Sequence, residues 1–298
     1  MDWVFFSLLS RALWAGNNIA DKLLRDKHIP DSFVLTLVAG FATLLFSFLI
    51  IIFNGIAWLG ITPVSLVLFA GAVQIVAVFA YYQAVSKDEI SRVIPLFQLT
   101  PIFVLILSFF VLGEILTFNY YFAFLLILLG GFLISIRRAE GLFKLREAFW
   151  WMILCGLIYA VQIVILKPLY VNYPFWDLTA YLGFGQFIPT FILLLKPAFG
   201  KKLVKSLREL NLGGWIILVF SMIFAMSASV AGFWALVTGP VSLISVFRGF
   251  QSVFVLLYAV FFSIWLPKFF KEELDKKVLG TKVLAILLMG VGLYLIYV

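Results

Sequence analysis

Ten long apolar runs alternate with short polar connections along the 298-residue chain. A helix needs roughly 20 apolar residues to cross a bilayer. The runs fit that length: Trp3 to Ala20, Ser32 to Phe53, Val64 to Val85, Val93 to Leu112, Tyr120 to Ile136, Phe149 to Leu166, Leu178 to Leu195, Trp215 to Val237, Val241 to Leu266 and Val283 to Val298. Inside a bilayer every backbone N–H and C=O must be satisfied internally, which leaves helices or closed barrels. No short segments of alternating polarity suggest a barrel. The pattern predicts an all-α polytopic membrane protein with ten transmembrane helices.

The two halves of the chain resemble each other. A shift of 145 residues brings Trp14 onto Tyr159, Ala15 onto Ala160, Asn17 onto Gln162 and Lys22 onto Lys167. A shift of 151 brings Ala84 onto Ala235, Ser91 onto Ser242, Phe103 onto Phe254 and Val104 onto Val255, and the segment Pro267 to Lys276 interrupts the second copy. The predicted organisation is a first five-helix repeat over 1–136, a basic linker over 137–148 and a second repeat over 149–298. Five is odd, so the copies insert with opposite orientation, an arrangement typical of transporters with a site at the repeat interface.

Composition supports the membrane reading, with 64% hydrophobic and 12% charged residues. The net charge of +8 points to no nucleic-acid face, because the basic residues sit in short connections. Nineteen of the 22 Lys and Arg lie in connections that follow odd-numbered helices. The positive-inside rule then places both termini outside the cytoplasm of an integral protein of the cell (inner) membrane. The first segment lacks a small-residue cleavage site and reads as a retained span. The single Cys155 lies in an apolar run and forms no internal disulfide.

Several residue groups resemble the drug/metabolite transporter superfamily, EamA type. Tyr82, Ala84 and Val85 end one helix, followed by Ile90-Ser91-Arg92-Val93, Pro95, Pro101, Leu112-Gly113-Glu114 and Gly130-Gly131. Leu13-Trp14-Ala15-Gly16, Asn18, Asp21 and Lys22 are similar to that family's first helix. The likeness runs the length of the chain and is looser in the second copy, where Trp265 stands in place of Glu114. It implies ten helices, alternating access and a central cavity. It also implies cytoplasmic termini, opposite to the charge count.

Polar groups inside a membrane are costly and face a cavity or a partner. Ser7, Arg11, Trp14, Asn18 and Asp21 form one helical stripe. Arg11 falls near mid-span, either toward solute or as a lock against neighbouring backbone. Arg248 shares a face with Ser245 and Ser252, with snorkelling to the interface as its alternative. Gln98 aligns one residue away from Arg248. Gln74, Tyr81, Tyr159, Gln162 and Trp234 complete the substrate-binding candidates. Arg92 and Glu114 read as an anchor and a cap at helix ends.

Asp88-Glu89 and Glu272-Glu273 lie in basic connections without ligand spacing, and no metal, phosphate-loop or dinucleotide motif appears. The expected cofactor set is therefore empty, and an enzyme or an assembly subunit is the weaker alternative. Within the predicted spans no Asp, Glu or His is present; His28 lies in the first connection. Arginine does not deprotonate in proteins. The residues thus predict a carrier for a small polar, neutral or anionic organic solute, working as a uniporter or exchanger rather than by proton coupling. A lipid-phosphate flippase is a variant within the same fold. Oligomeric state, monomer or homodimer, is left open.

Overall fold

A computed structural model describes residues 2–87, 93, 96–135, 147–265 and 276–298. Arg92, Pro95, both acidic pairs, most of the basic linker and nearly all of the second-copy insertion lie outside the described residues. The described residues form helices and no strand. They are α1 (Asp2–Lys27), α2 (Ser32–Asn54), α3 (Ile61–Lys87), a 3₁₀ turn (Phe97–Leu99) leading into α4 (Thr100–Leu107), and a π turn (Ser108–Leu112). Next come α5 (Phe118–Ser135), α6 (Glu147–Asn172), α7 (Phe175–Leu194), α8 (Pro197–Arg208) and α9 (Leu212–Thr238). The chain closes with α10 (Val241–Val246), α11 (Arg248–Trp265) and α12 (Lys276–Tyr297).

Among the described residues, eight segments are long and apolar enough to cross a membrane, and Phe97–Leu112 is a shorter apolar helix. The chain is an integral membrane protein. Its charged and amide residues keep α1 out of that set of eight, although α1 is 26 residues long.

Local chemistry sets the helix ends. Asp31 accepts the Phe33 N–H at 2.9 Å to start α2, and Asn211 accepts the Gly214 N–H at 2.8 Å to start α9. Gly55 at φ +74° ends α2, and Gly113 at φ +65° ends the π turn, a backbone region that favours glycine. Glu114 caps a neighbour: its carboxylate accepts the N–H groups of Val241 and Ser242 at 2.8 and 3.0 Å. A negative charge on the first amides of a helix is favourable. Glu114→Ala is expected to lower stability by about 1–2 kcal/mol, and Glu114→Gln by less, read as Tm in detergent.

Besides α3 with α7, four main helix pairs join the two halves of the chain: α1 with α9, α3 with α6, α2 with α7 and α5 with α12. Each pair is antiparallel. Along α1 and α9, Trp3 meets Gly239, Ser10 meets Ala228 and Asn17 meets Ser221. Along α3 and α6, Gln74 meets Gln162 and Lys87 meets Glu147. Along α5 and α12, Gly130 lies on Ala285 and Met289 while Gly292 lies on Ala123 and Ile127. Small residues let these backbones approach closely, the usual basis of helix association in lipid.

Several predicted boundaries need correction. α1 runs to Lys27, seven residues past the expected end at Ala20, so Asp21 is inside the helix. The predicted ninth span is broken at Phe247, immediately before Arg248, and the fourth contains a 3₁₀ turn at Phe97–Leu99, between the helical Leu96 and α4. Under the 151-residue shift, Phe247 falls on Leu96, one residue before that turn. α8 was not predicted; it turns Leu203 inward and exposes Lys201, Lys205 and Arg208.

Candidate functional site

Two guanidiniums meet in the bundle. Arg11 comes from α1, and Arg248 opens α11 immediately after the break at Phe247. Arg11 lies within range of the charge on Arg248 and of the Tyr159 phenol. Arg248 lies over two rings, 5.0 Å from the centroid of Tyr159 on α6 and 5.3 Å from that of Phe97. Such placement of a cation over an aromatic face is attractive. Tyr81 on α3 extends the wall, with its ring centroid 5.0 Å from Phe97.

Among the described residues, neither arginine has a carboxylate within 4.0 Å. Arg11 Nε is buried and has no hydrogen-bond partner among the described residues. The same holds for Ser7 Oγ one turn earlier on α1, and for Gln98 Oε1 and Thr100 Oγ1 beside Phe97. Buried polar atoms are nearly always paired, so orphans on adjoining segments mark a place where a further group belongs. Both arginines are largely buried, with a minor part of each side chain accessible.

Other predicted site residues have different partners. Gln74 Oε1 accepts from both Gln162 Nε2 and Gln186 Nε2, tying α3 to α6 and α7. Gln74 and Gln162 therefore serve each other. Gln186, which sequence reasoning missed, completes the knot; nothing in the repeat alignment marks it. Ser252 pairs with Ser135 at 3.0 Å. Asn18 is exposed, and the adjacent Asn17 is the residue held inside. Trp14 is half-buried. Trp234 lies away from the arginines, stacked on Phe175 at 4.5 Å and on Phe6 at 6.2 Å.

That stack lies at the end of the bundle that holds the start of α1. Lys167 Nζ donates to the carbonyls of Leu236 and Gly239 at 2.6 and 2.9 Å, at the C-terminus of α9 where a cation is favoured. Trp3 packs against Gly239, with its ring 5.7 Å from Phe247. Together with the Glu114 cap, these contacts tie the helices together at the end that holds the start of α1.

Residues 1–136 match the model of the EamA-like transporter family, of the drug/metabolite transporter superfamily, and that match suggests the class, a membrane transporter. One solved crystal structure, described only as that of a protein, is 15% identical with a TM-score of 0.68; the match covers 98% of this chain and 95% of that one. This likeness shows a shared fold. No curated protein matches the chain.

Proposed function

We propose that the chain is a ten-helix carrier, built of two inverted five-helix repeats, that moves a small organic anion by alternating access. The observation that carries this reading is the Arg11–Arg248 pair, which has no acid within 4.0 Å among the described residues, with Arg11 Nε itself buried and unpaired among them. Guanidinium groups bind carboxylate and phosphate in a two-pronged fashion. Two positive groups brought together without a counter-charge are costly in the empty state and gain most from an anion. The flanking rings and Gln98 would contact the organic part and a polar substituent.

The pairing of helices supports the repeat. Exchanging first-half helices for their second-half equivalents turns α1 with α9 into α6 with α3, and both pairs are among the principal contacts. The pairs α2 with α7 and α5 with α12 map onto themselves, whereas α3 with α7 has no equally extensive counterpart in α9 with α2. The 3₁₀ turn at Phe97–Leu99 and the break at Phe247 both border the proposed site, as the interrupted helices of many carriers do.

The Lys and Arg bias orients the carrier with both termini outside the cytoplasm. Single cysteines at Lys201 and Gly60 test this: an impermeant thiol reagent added to intact cells should label Gly60→Cys and spare Lys201→Cys. Labelling of Lys201→Cys from outside would reverse the orientation. The transport reading itself is tested by liposome uptake of amino acids, organic acids, phosphorylated metabolites and cationic dyes. Flux of at least one anion is expected; absence of flux for every solute would defeat the reading.

A further inference from the structure

Asp21 takes no part in the guanidinium site, yet it is drawn into the interface between the two halves of the chain. Asn17 and Asp21 lie one turn apart on α1, and Ser221 faces them from α9. Asn17 Nδ2 donates to Asp21 Oδ2 at 2.9 Å. Ser221 Oγ is 2.6 Å from Asp21 Oδ1 and 3.0 Å from Asn17 Oδ1.

The hydroxyl of Ser221 has a single hydrogen and can serve only one of those two oxygens at a time. With Asp21 ionised, the hydrogen goes to the carboxylate and the Asn17 carbonyl goes without it. With a proton on Asp21 Oδ1, the carboxyl donates to Ser221 Oγ and Ser221 donates to Asn17 Oδ1, so each close contact carries a hydrogen. The same three side chains therefore accommodate both states, and one proton decides which way the chain of hydrogen bonds runs.

The surroundings leave that choice open. No Lys or Arg nitrogen among the described residues lies within 4.0 Å of the Asp21 carboxylate. The charge of Arg25 reaches it from one turn further along α1, and Tyr81 and Tyr82 feel it from α3. His28 lies beyond, against Gly214 at the start of α9. A carboxylate held by neutral donors keeps a proton exchange that a salt bridge would suppress.

We propose that Asp21 is a proton-binding site of this protein, taking one proton from bulk water onto Oδ1 and returning it there, within a cluster that joins α1 to α9. The site needs no substrate to exist. Its use in driving an anion across the membrane rests on the carrier reading above, and it replaces the expectation that no carboxylate serves the interior.

The probe is the proton itself. The full-length protein in detergent is titrated across neutral pH while infrared absorption of the protonated carboxyl C=O is followed. The wild type should show a band that grows as pH falls; Asp21→Asn should lack it, and Glu114→Gln should keep it. Ser221→Ala retains the carboxyl but should shift the band and its midpoint, and this variant decides the matter should Asp21→Asn fail to fold. An unchanged band in Asp21→Asn, an unchanged midpoint in Ser221→Ala, or no protonated carboxyl in the wild type overturns the proposal. A wild type that binds the proton but moves no solute supports the site and defeats the carrier; flux without the band does the reverse.

Discussion

Arg11→Ala is expected to cut flux of an anionic solute about 100-fold while changing flux of neutral or cationic solutes little. A hydrogen bond to a charged group contributes about 1.5–3 kcal/mol, and each 1.4 kcal/mol is a factor of ten. The loss falls on anions because Arg11 has no internal acid to release among the described residues. Arg248→Ala should act in the same direction. It also removes the cation from between Tyr159 and Phe97, so Arg248→Lys should restore less than its conserved charge suggests. Equal losses for anions and cations in reconstituted liposomes would contradict the role of charge.

The second large effect concerns stability. A Cβ on Gly185 would lie 2.3 Å from the Leu68 carbonyl oxygen and 2.8 Å from the Leu68 Cα; one on Gly71 would lie 2.4 Å from the Leu182 carbonyl oxygen. The obstructing atoms are backbone and cannot turn aside, so α3 and α7 must move apart. Overpacking typically costs about 1–3 kcal/mol, and a rigid backbone contact falls at or above the upper end. Gly71→Ala and Gly185→Ala should each lower Tm sharply or prevent folding. Gly290→Ala meets nothing within 4 Å and should leave Tm unchanged or slightly raised. A similar Tm for all three would show that this close approach does not hold the bundle together.

Most of the spans were legible because hydropathy registers the lipid environment directly, and the EamA likeness was carried by residues of the matching first half. The errors have physical causes. The charges from Asp21 to Lys27 ended the apolar run, yet the helix continues because its donors and acceptors are satisfied from α9. α8 escaped notice because its apolar residues recur at helical spacing among lysines rather than in a block. The break at Phe247 leaves no mark in composition.

The site was legible in part. Arg11, Arg248, Tyr81, Tyr159 and Gln98 do fall together or on adjoining segments. A polar residue at mid-span can also be satisfied by another, however, and Gln74 with Gln162 and Ser252 with Ser135 are such cases. Pairings between distant segments cannot be read from spacing along one helix. The stripe that included Asn18 was one residue off at that point; each residue turns a helix by about 100°, which is enough to exchange an exposed Asn18 for a buried Asn17.

The account depends on an anion being held between Arg11 and Arg248. The most direct measurement is thermal stabilisation of the full-length protein in detergent by a panel of carboxylates, phosphate esters and their uncharged amides, repeated on Arg11→Gln/Arg248→Gln. At least one anion should raise Tm of the wild type with a saturable dose dependence, its amide should not, and the double variant should show no rise. Stabilisation that persists in the double variant, or that the uncharged amide reproduces, would contradict the account.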